Sequence, residues 1–232
     1  MTLRVFLCGE GRNELGDWAN SAPYRPAPGP PPRDPAAAGV LVALLRKARG
    51  DGWEVHGACL WKAIRKFRVG VGDPEARNVQ GLLQDAHERG CEVVAFLRDA
   101  DGEESRVEAI RAGLDQAHGS YPGLRVIGGT PSPVLEAWIL SFLGVTGAHR
   151  LPKTGAQRRL KEKGIPSKDT ARMVQAIEKA ERANLPADAQ DLRDWLLCAD
   201  EALSPVDEPT PKASARGGHP TGRRRSRAKA PR

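Results

Sequence analysis

Aromatic residues are scarce in this chain, with five Trp, four Phe and two Tyr among 232 residues. Cysteines are few as well: Cys8, Cys59, Cys91 and Cys198 stand far apart, with no C-x-x-C pair. Such spacing argues against a disulfide framework and gives no reason to expect zinc. No apolar run approaches the roughly 18 residues needed to cross a bilayer. The N-terminal MTLRVFLCGEG is too short an apolar stretch for a secretory signal, so the chain reads as a cytoplasmic protein without membrane association. Acidic residues are missing from Pro209 onward, where Lys212, Arg216, Arg223, Arg224, Arg225, Arg227, Lys229 and Arg232 cluster. The remainder holds 28 basic and 29 acidic residues, so the net charge of +7 belongs to the tail.

What is present is an alternation of short β-branched runs with helical spacing. Strands are expected over Arg4–Cys8, Trp53–Leu60, Glu92–Leu97 and Leu124–Ile127, and helices over Ala36–Arg49, Pro74–Arg89, Glu103–His118 and Pro131–Gly144. This order predicts an α/β domain with a Rossmann-like, mostly parallel sheet over residues 1–149. Ser21–Pro35, with seven prolines, reads as an irregular surface loop. From 150 to 203 the periodicity is purely helical (Gln157–Lys163, Lys168–Ala183, Ala189–Leu203), a C-terminal helical extension with Ser167, Asp169 or Thr170 as an N-cap. Residues 204–232 read as a disordered basic tail.

The chemistry-bearing residues are carboxylates at strand ends. Asp99 and Asp101 follow the third strand one residue apart, and in an extended segment alternate side chains point the same way. Two like charges held close are costly unless a cation lies between them, and hard oxygen donors suit Mg²⁺ or Mn²⁺. The same D-x-D-G is also ordinary turn chemistry. Glu10 and Glu14 follow the first strand in GEGRNELG. This is neither a dinucleotide fingerprint, because Glu14 stands where the third glycine belongs, nor a P-loop, because Asp17 and Trp18 follow Gly16. Glu136 interrupts the apolar helix PSPVLEAWILSFLG and needs a partner there, or complements the helix dipole. Lys62, Arg65, Lys66 and Arg68, interleaved with Trp61 and Phe67, read either as a phosphate-contacting patch or as a solvated helix face.

Glu10 after the first strand, with Asp99-Ala-Asp101 after the third, resembles the TOPRIM domain of topoisomerases, primases and OLD-type nucleases. The phrases E-G-x-x-E (Glu10, Gly11, Glu14) and P-x-x-E-A-W (Pro133, Glu136, Ala137, Trp138) resemble most closely the small stand-alone TOPRIM-like proteins found beside ATPases in bacterial defence loci. The resemblance spans roughly residues 3–145. It implies a nuclease using one or two Mg²⁺ or Mn²⁺ ions, the effector of an anti-phage system with a partner ATPase. Metal ligands would be Glu10, Glu14, Asp99, Asp101 and Glu136, with Glu10 as ligand or general base. Lys62 or Arg98 would offset phosphate charge. The Pro-rich insertion and the extension beyond 150 depart from that pattern, and no domain carrying a tyrosine nucleophile is evident.

A nucleic-acid substrate suits the basic tail, and a homo-oligomer is compatible with all of this. Two other metal enzymes use Asp-x-Asp, a haloacid-dehalogenase-like phosphatase and a nucleotidyl or glycosyl transferase. The first places the pair after strand one, and the second leaves Glu10 and Glu136 without a role. A non-catalytic module docking a partner ATPase is the remaining alternative.

Overall fold

The computed structural model describes residues 2–20, 28–64 and 72–205. Residues 21–27 of the Pro-rich stretch, Arg65 to Arg68 and the basic tail with its expected disorder lie outside the described residues. Four apolar runs become strands: β1 (Leu3–Gly9), β2 (Trp53–Leu60), β3 (Val93–Leu97) and β4 (Arg125–Gly129). They form one sheet in the order β2-β1-β3-β4, with every neighbouring pair parallel.

Period-two alternation gives the sheet two buried faces. Val5, Leu7, Val93, Ala95 and Leu97 point into one core, and Phe6, Cys8, Val94 and Phe96 into another. A parallel sheet covered on both sides needs strands that are apolar at nearly every position. β3 is buried at all five of its residues.

Eight α-helices are present among the described residues: α1 (Arg12–Leu15), α2 (Pro35–Arg49), α3 (Pro74–Glu88), α4 (Glu104–Ala117), α5 (Leu135–Phe142), α6 (Lys153–Glu162), α7 (Thr170–Lys179) and α8 (Gln190–Ala202). The start signals are local. Asp34 caps α2 through Ala36 N–H at 3.1 Å and Asp73 caps α3 through Glu75 N–H at 2.7 Å, each followed by Pro in the first turn. Val79, Leu82 and Ile110 put α3 and α4 on the Phe6 face, whereas α2 lies on the Leu7 face. The chain steps outward from β1 to β2 and then back across β1 to β3. Because parallel crossovers keep one hand, that reversal moves the helices from one face to the other.

Residues 150–203 pack onto the sheet domain. Leu160, Met173, Val174, Ile177, Leu192, Trp195 and Leu196 belong to the same core as Val5 and Leu7. α7 packs on α2, and α8 on both α2 and β4. α2 explains this arrangement, since it is buried at every position from Ala38 to Leu45. A helix apolar all round must be covered all round, so α7 and α8 close the side the sheet leaves open.

α2 is interrupted at Gly39, whose φ is 79°. A Cβ there would lie 2.4 Å from Gly16 N, and one on Gly16 (φ 57°) would lie 2.1 Å from Ala37 O. Two glycines in conformations that L side chains rarely adopt thus let α1 and its following turn sit directly on α2. The expected helix over Pro131–Gly144 begins later, at Leu135, because Pro131 and Pro133 lie in an irregular segment whose carbonyls accept the N–H groups of Ala100 and Asp101 in the loop after β3. The middle C-terminal helix is capped by Asp169, whose side chain accepts from Arg172 N–H at 3.1 Å.

Candidate functional site

In a sheet of this order the chain leaves β1 and β3 in opposite directions, and a crevice opens between their carboxyl ends. Glu10 follows β1 and Asp99 follows β3 at that point. The two are joined directly, since Glu10 Oε1 accepts the backbone N–H of Asp99 at 2.8 Å. The loop after β3 is also tied to the segment after β4: Arg98 N–H donates to Gly129 O at 3.0 Å, Ala100 N–H to Pro131 O at 3.1 Å and Asp101 N–H to Pro133 O at 2.8 Å. This ladder delivers the first turn of α5 to Asp99, whose Oδ1 accepts Leu135 N–H at 2.8 Å. Glu136, the next residue, is buried.

Glu14 is brought in by α1. Its Oε2 accepts Gly11 N–H at 2.7 Å, closing the turn that carries Glu10, and the side chain is buried. Burial pushes the Glu14 carboxyl above its ordinary range against the pull of backbone N–H groups, and the charges of Glu10 and Glu136 push it further. Asp99 is raised more, from 3.8 to about 8. Burial is the main cause and Glu10 the next, the Leu135 N–H opposes them, and Glu14 and Glu136 add to the rise. Four carboxylates from three strand ends therefore act on one another in a poorly solvated place.

Asp101 lies in different surroundings. The alternation argument requires extended backbone, but β3 ends at Leu97 and Asp101 has a positive φ of 53°. Its Oδ1 accepts from Lys153 Nζ at 2.7 Å and its Oδ2 from Arg106 Nη1 at 2.7 Å. Burial alone would raise its carboxyl, but these two cations outweigh burial and hold it below the usual range. Arg106 Nη1 also donates to Asp99 O at 2.9 Å.

Glu10 has a cation of its own, Arg98 Nη1, at 2.6 Å. Arg98 in turn places Nε and Nη2 on Glu75 Oε1 at 3.1 and 2.6 Å. Glu75 Oε2 takes the indole N–H of Trp61 at 2.6 Å, and Arg106 Nε lies 3.4 Å from Oε1. Glu75 is thus the anchor behind both guanidiniums. Lys62 is exposed in the turn after β2 and takes no part in this network. The cation that neighbours the acids instead is Lys153, which opens α6 and feels Asp99 and Glu10 as well as Asp101.

Of the five acids, then, Glu10 and Asp101 hold cations, whereas the described partners of Asp99, Glu14 and Glu136 are the N–H of Leu135, the N–H of Gly11 and the side-chain amide of Gln157 at 3.3 Å. Among the described residues no group of three or more His, Cys, Asp or Glu side chains is arranged as a ready-made metal cage. The donor chemistry nevertheless fits a hard divalent ion, because all four mutually repelling groups are carboxylates. Beside Glu10 and Glu14 an open cleft of about 860 Å³ runs between α1 and the start of α7.

Glu75, Arg106 and Lys153 were not apparent from the sequence. D-P-E at 73–75 announces only a helix start, and Lys153 lies about 50 residues from its partner Asp101. No family model, curated protein or solved structure matches this chain. No described helix is long and apolar enough to cross a membrane.

Proposed function

We propose that this protein is a Mg²⁺- or Mn²⁺-dependent phosphodiesterase of TOPRIM-like type acting on nucleic acid, with its centre at the carboxyl ends of β1 and β3. The observation that carries this reading is the convergence of Glu10, Glu14, Asp99 and Glu136 on the crevice where the sheet's connections reverse, the place where α/β sheets bind ligands. The raised carboxyls of Asp99 and Glu14 support it, because burying acids together is costly unless a cation neutralises them. Asp99, Glu14 and Glu136 would hold the ion. Bound there, it would polarise a phosphoryl oxygen and ease deprotonation of water. Glu10, fixed by Arg98 and by Asp99 N–H, is placed to orient a water and accept its proton at Oε2. Lys153, half exposed beside Asp101, takes the place of Lys62 as the cation that offsets charge on the phosphate. Partnership with an ATPase and a role in anti-phage defence are part of the same proposal, as is cytoplasmic location.

The salt-bridged state of Glu10 and Asp101 favours a second reading, in which the acids are structural and the protein is a docking module. One experiment separates the two. Metal-stripped protein is titrated with Mg²⁺ and Mn²⁺, while melting temperature and cleavage of labelled DNA and RNA are followed. The phosphodiesterase reading expects stabilisation and cleavage, both lost in Asp99→Asn. Wild-type protein that neither ion stabilises, and that cleaves neither polymer with the partner ATPase present, leaves only the docking module.

A further inference from the structure

The cleft beside Glu10 and Glu14 carries acids at its floor and two cations at its rim, where a third acid, Asp169, is already paired with Arg172 at 3.3 Å. Glu14 is buried at the floor, and Glu10 lies half-buried beside it. Arg12 and Lys168 lie exposed at the rim, one on each wall. The walls are tied to each other: Asn13 Nδ2 donates to Ser167 O at 2.7 Å, and Thr170 Oγ1 donates to Asn13 Oδ1 at 3.0 Å. α1 and the start of α7 therefore hold a fixed separation, and a ligand does not have to order them.

Both rim cations are available. Arg12 pairs with Asp17 at 3.3 Å, with side chains 63% and 59% exposed, a surface pair that a phosphate displaces at little cost. Lys168 has no hydrogen-bond or ion-pair partner among the described residues. A neutral ligand has no use for such a rim, and a compact polyanion lying on the floor would meet Glu10 and Glu14. A linear polyanion can place its phosphates on the rim cations and present one ester to the acids.

We propose that this cleft seats one strand of a single-stranded polynucleotide, held by Arg12 and Lys168 on phosphates flanking the one presented to the acids. The inference rests on the phosphodiesterase reading only for the identity of that central ester. The cleft volume of about 860 Å³ falls in the range of ~300–1,000 Å³ typical of pockets that enclose a small ligand, which suits one or two nucleotides and not a duplex. Among the described residues no aromatic side chain lines it. Stacking readout is therefore missing, and binding through phosphates alone is indifferent to base sequence.

The test uses the full-length chain, metal-stripped, with fluorescent single strands of two unrelated sequences and a duplex of equal length, in anisotropy titrations over a salt series. The basic tail is present in every variant, so the comparison isolates the cleft. The double variant Arg12→Ala/Lys168→Ala is expected to bind both single strands about ten-fold more weakly, with a salt slope lower by about 1.4 for two lost phosphate contacts, and to bind duplex as the wild type does. Unchanged single-strand binding, or equal losses for single strand and duplex, overturns the proposal. Loss confined to one of the two sequences overturns the claim of indifference to sequence. Cleavage assays on the same proteins separate this inference from the reading it builds on. If the variant loses single-strand affinity while neither Mg²⁺ nor Mn²⁺ supports cleavage by the wild type, the cleft stands and the phosphodiesterase falls. If cleavage depends on Asp99 while the variant binds normally, the reverse holds.

Discussion

Asp99 and Asp101 are separated by a single residue, yet they sit in opposite electrostatic surroundings. Asp99 is half-buried beside Glu10, Glu14 and Glu136 and is pushed up to about 8. Asp101 is clamped by Lys153 and Arg106 and is held below the usual carboxylate range despite its own burial. The difference comes from where the strand stops: beyond Leu97 the backbone turns, and Asp101 adopts a positive φ. A D-x-D motif therefore counts as one site only while its backbone stays extended. Here it supplies one acid in want of a cation and one already furnished with two.

The strongest way to break this comparison is to replace each acid in turn. Asp99→Asn should lower Mg²⁺- or Mn²⁺-dependent cleavage by more than the ~10–100-fold that a residue behind a metal ligand costs. Initial rates at saturating ion test this, and wild-type rates in the variant would remove Asp99 from the site. Titration gives the next largest effect. In metal-free protein the folded state keeps a proton on Asp99 up to about 8, whereas the unfolded chain releases it near 3.8. The folded state binds more protons between those values, so stability must fall as pH rises through them. Asp101 acts with the opposite sign, since its folded carboxyl is lowered and its stabilisation is lost on acidification below the ordinary carboxylate range. Denaturant midpoints against pH should show both limbs. Asp99→Asn should flatten the limb toward neutral pH, and saturating divalent ion should do the same.

A smaller effect is expected behind the acids. Glu75→Gln weakens the charge-assisted contacts to Arg98 and Arg106 and should cost about 2 kcal/mol, read from urea unfolding. A loss near zero would mean that the two guanidiniums hold themselves in place. The smallest change sharpens the comparison most: Asp101→Asn should alter divalent-ion affinity by less than ~10-fold, measured by calorimetry. A loss as large as that of Asp99→Asn would make the pair a single site after all.

Much of the scaffold was legible because its signals are local. β2 runs from Trp53 to Leu60 as expected. Asp34-Pro35 and Asp73-Pro74 mark helix starts through capping and a fixed φ, and both helices begin there. The site was legible only as a set of acids. Glu10, Asp99 and Glu136 could be placed near one edge because each follows a strand in a parallel sheet. Which acid meets which cation depends on Glu75, Arg106 and Lys153, brought in by α3, α4 and α6. Lys62, expected alongside Arg98 as a cation to offset phosphate charge, lies outside the network.

Composition and periodicity alone determined that this protein has a mostly parallel sheet covered by helices and that its positive charge is concentrated in a tail, because hydrophobic burial follows spacing within a few residues. The packing of α6 to α8 against α2, the separation of Asp99 from Asp101 and the cleft between α1 and α7 were settled only by the tertiary structure. Charge pairing and desolvation act through space, and the groups that decide them here lie from 5 residues apart (Asp101 and Arg106) to 157 (Asn13 and Thr170).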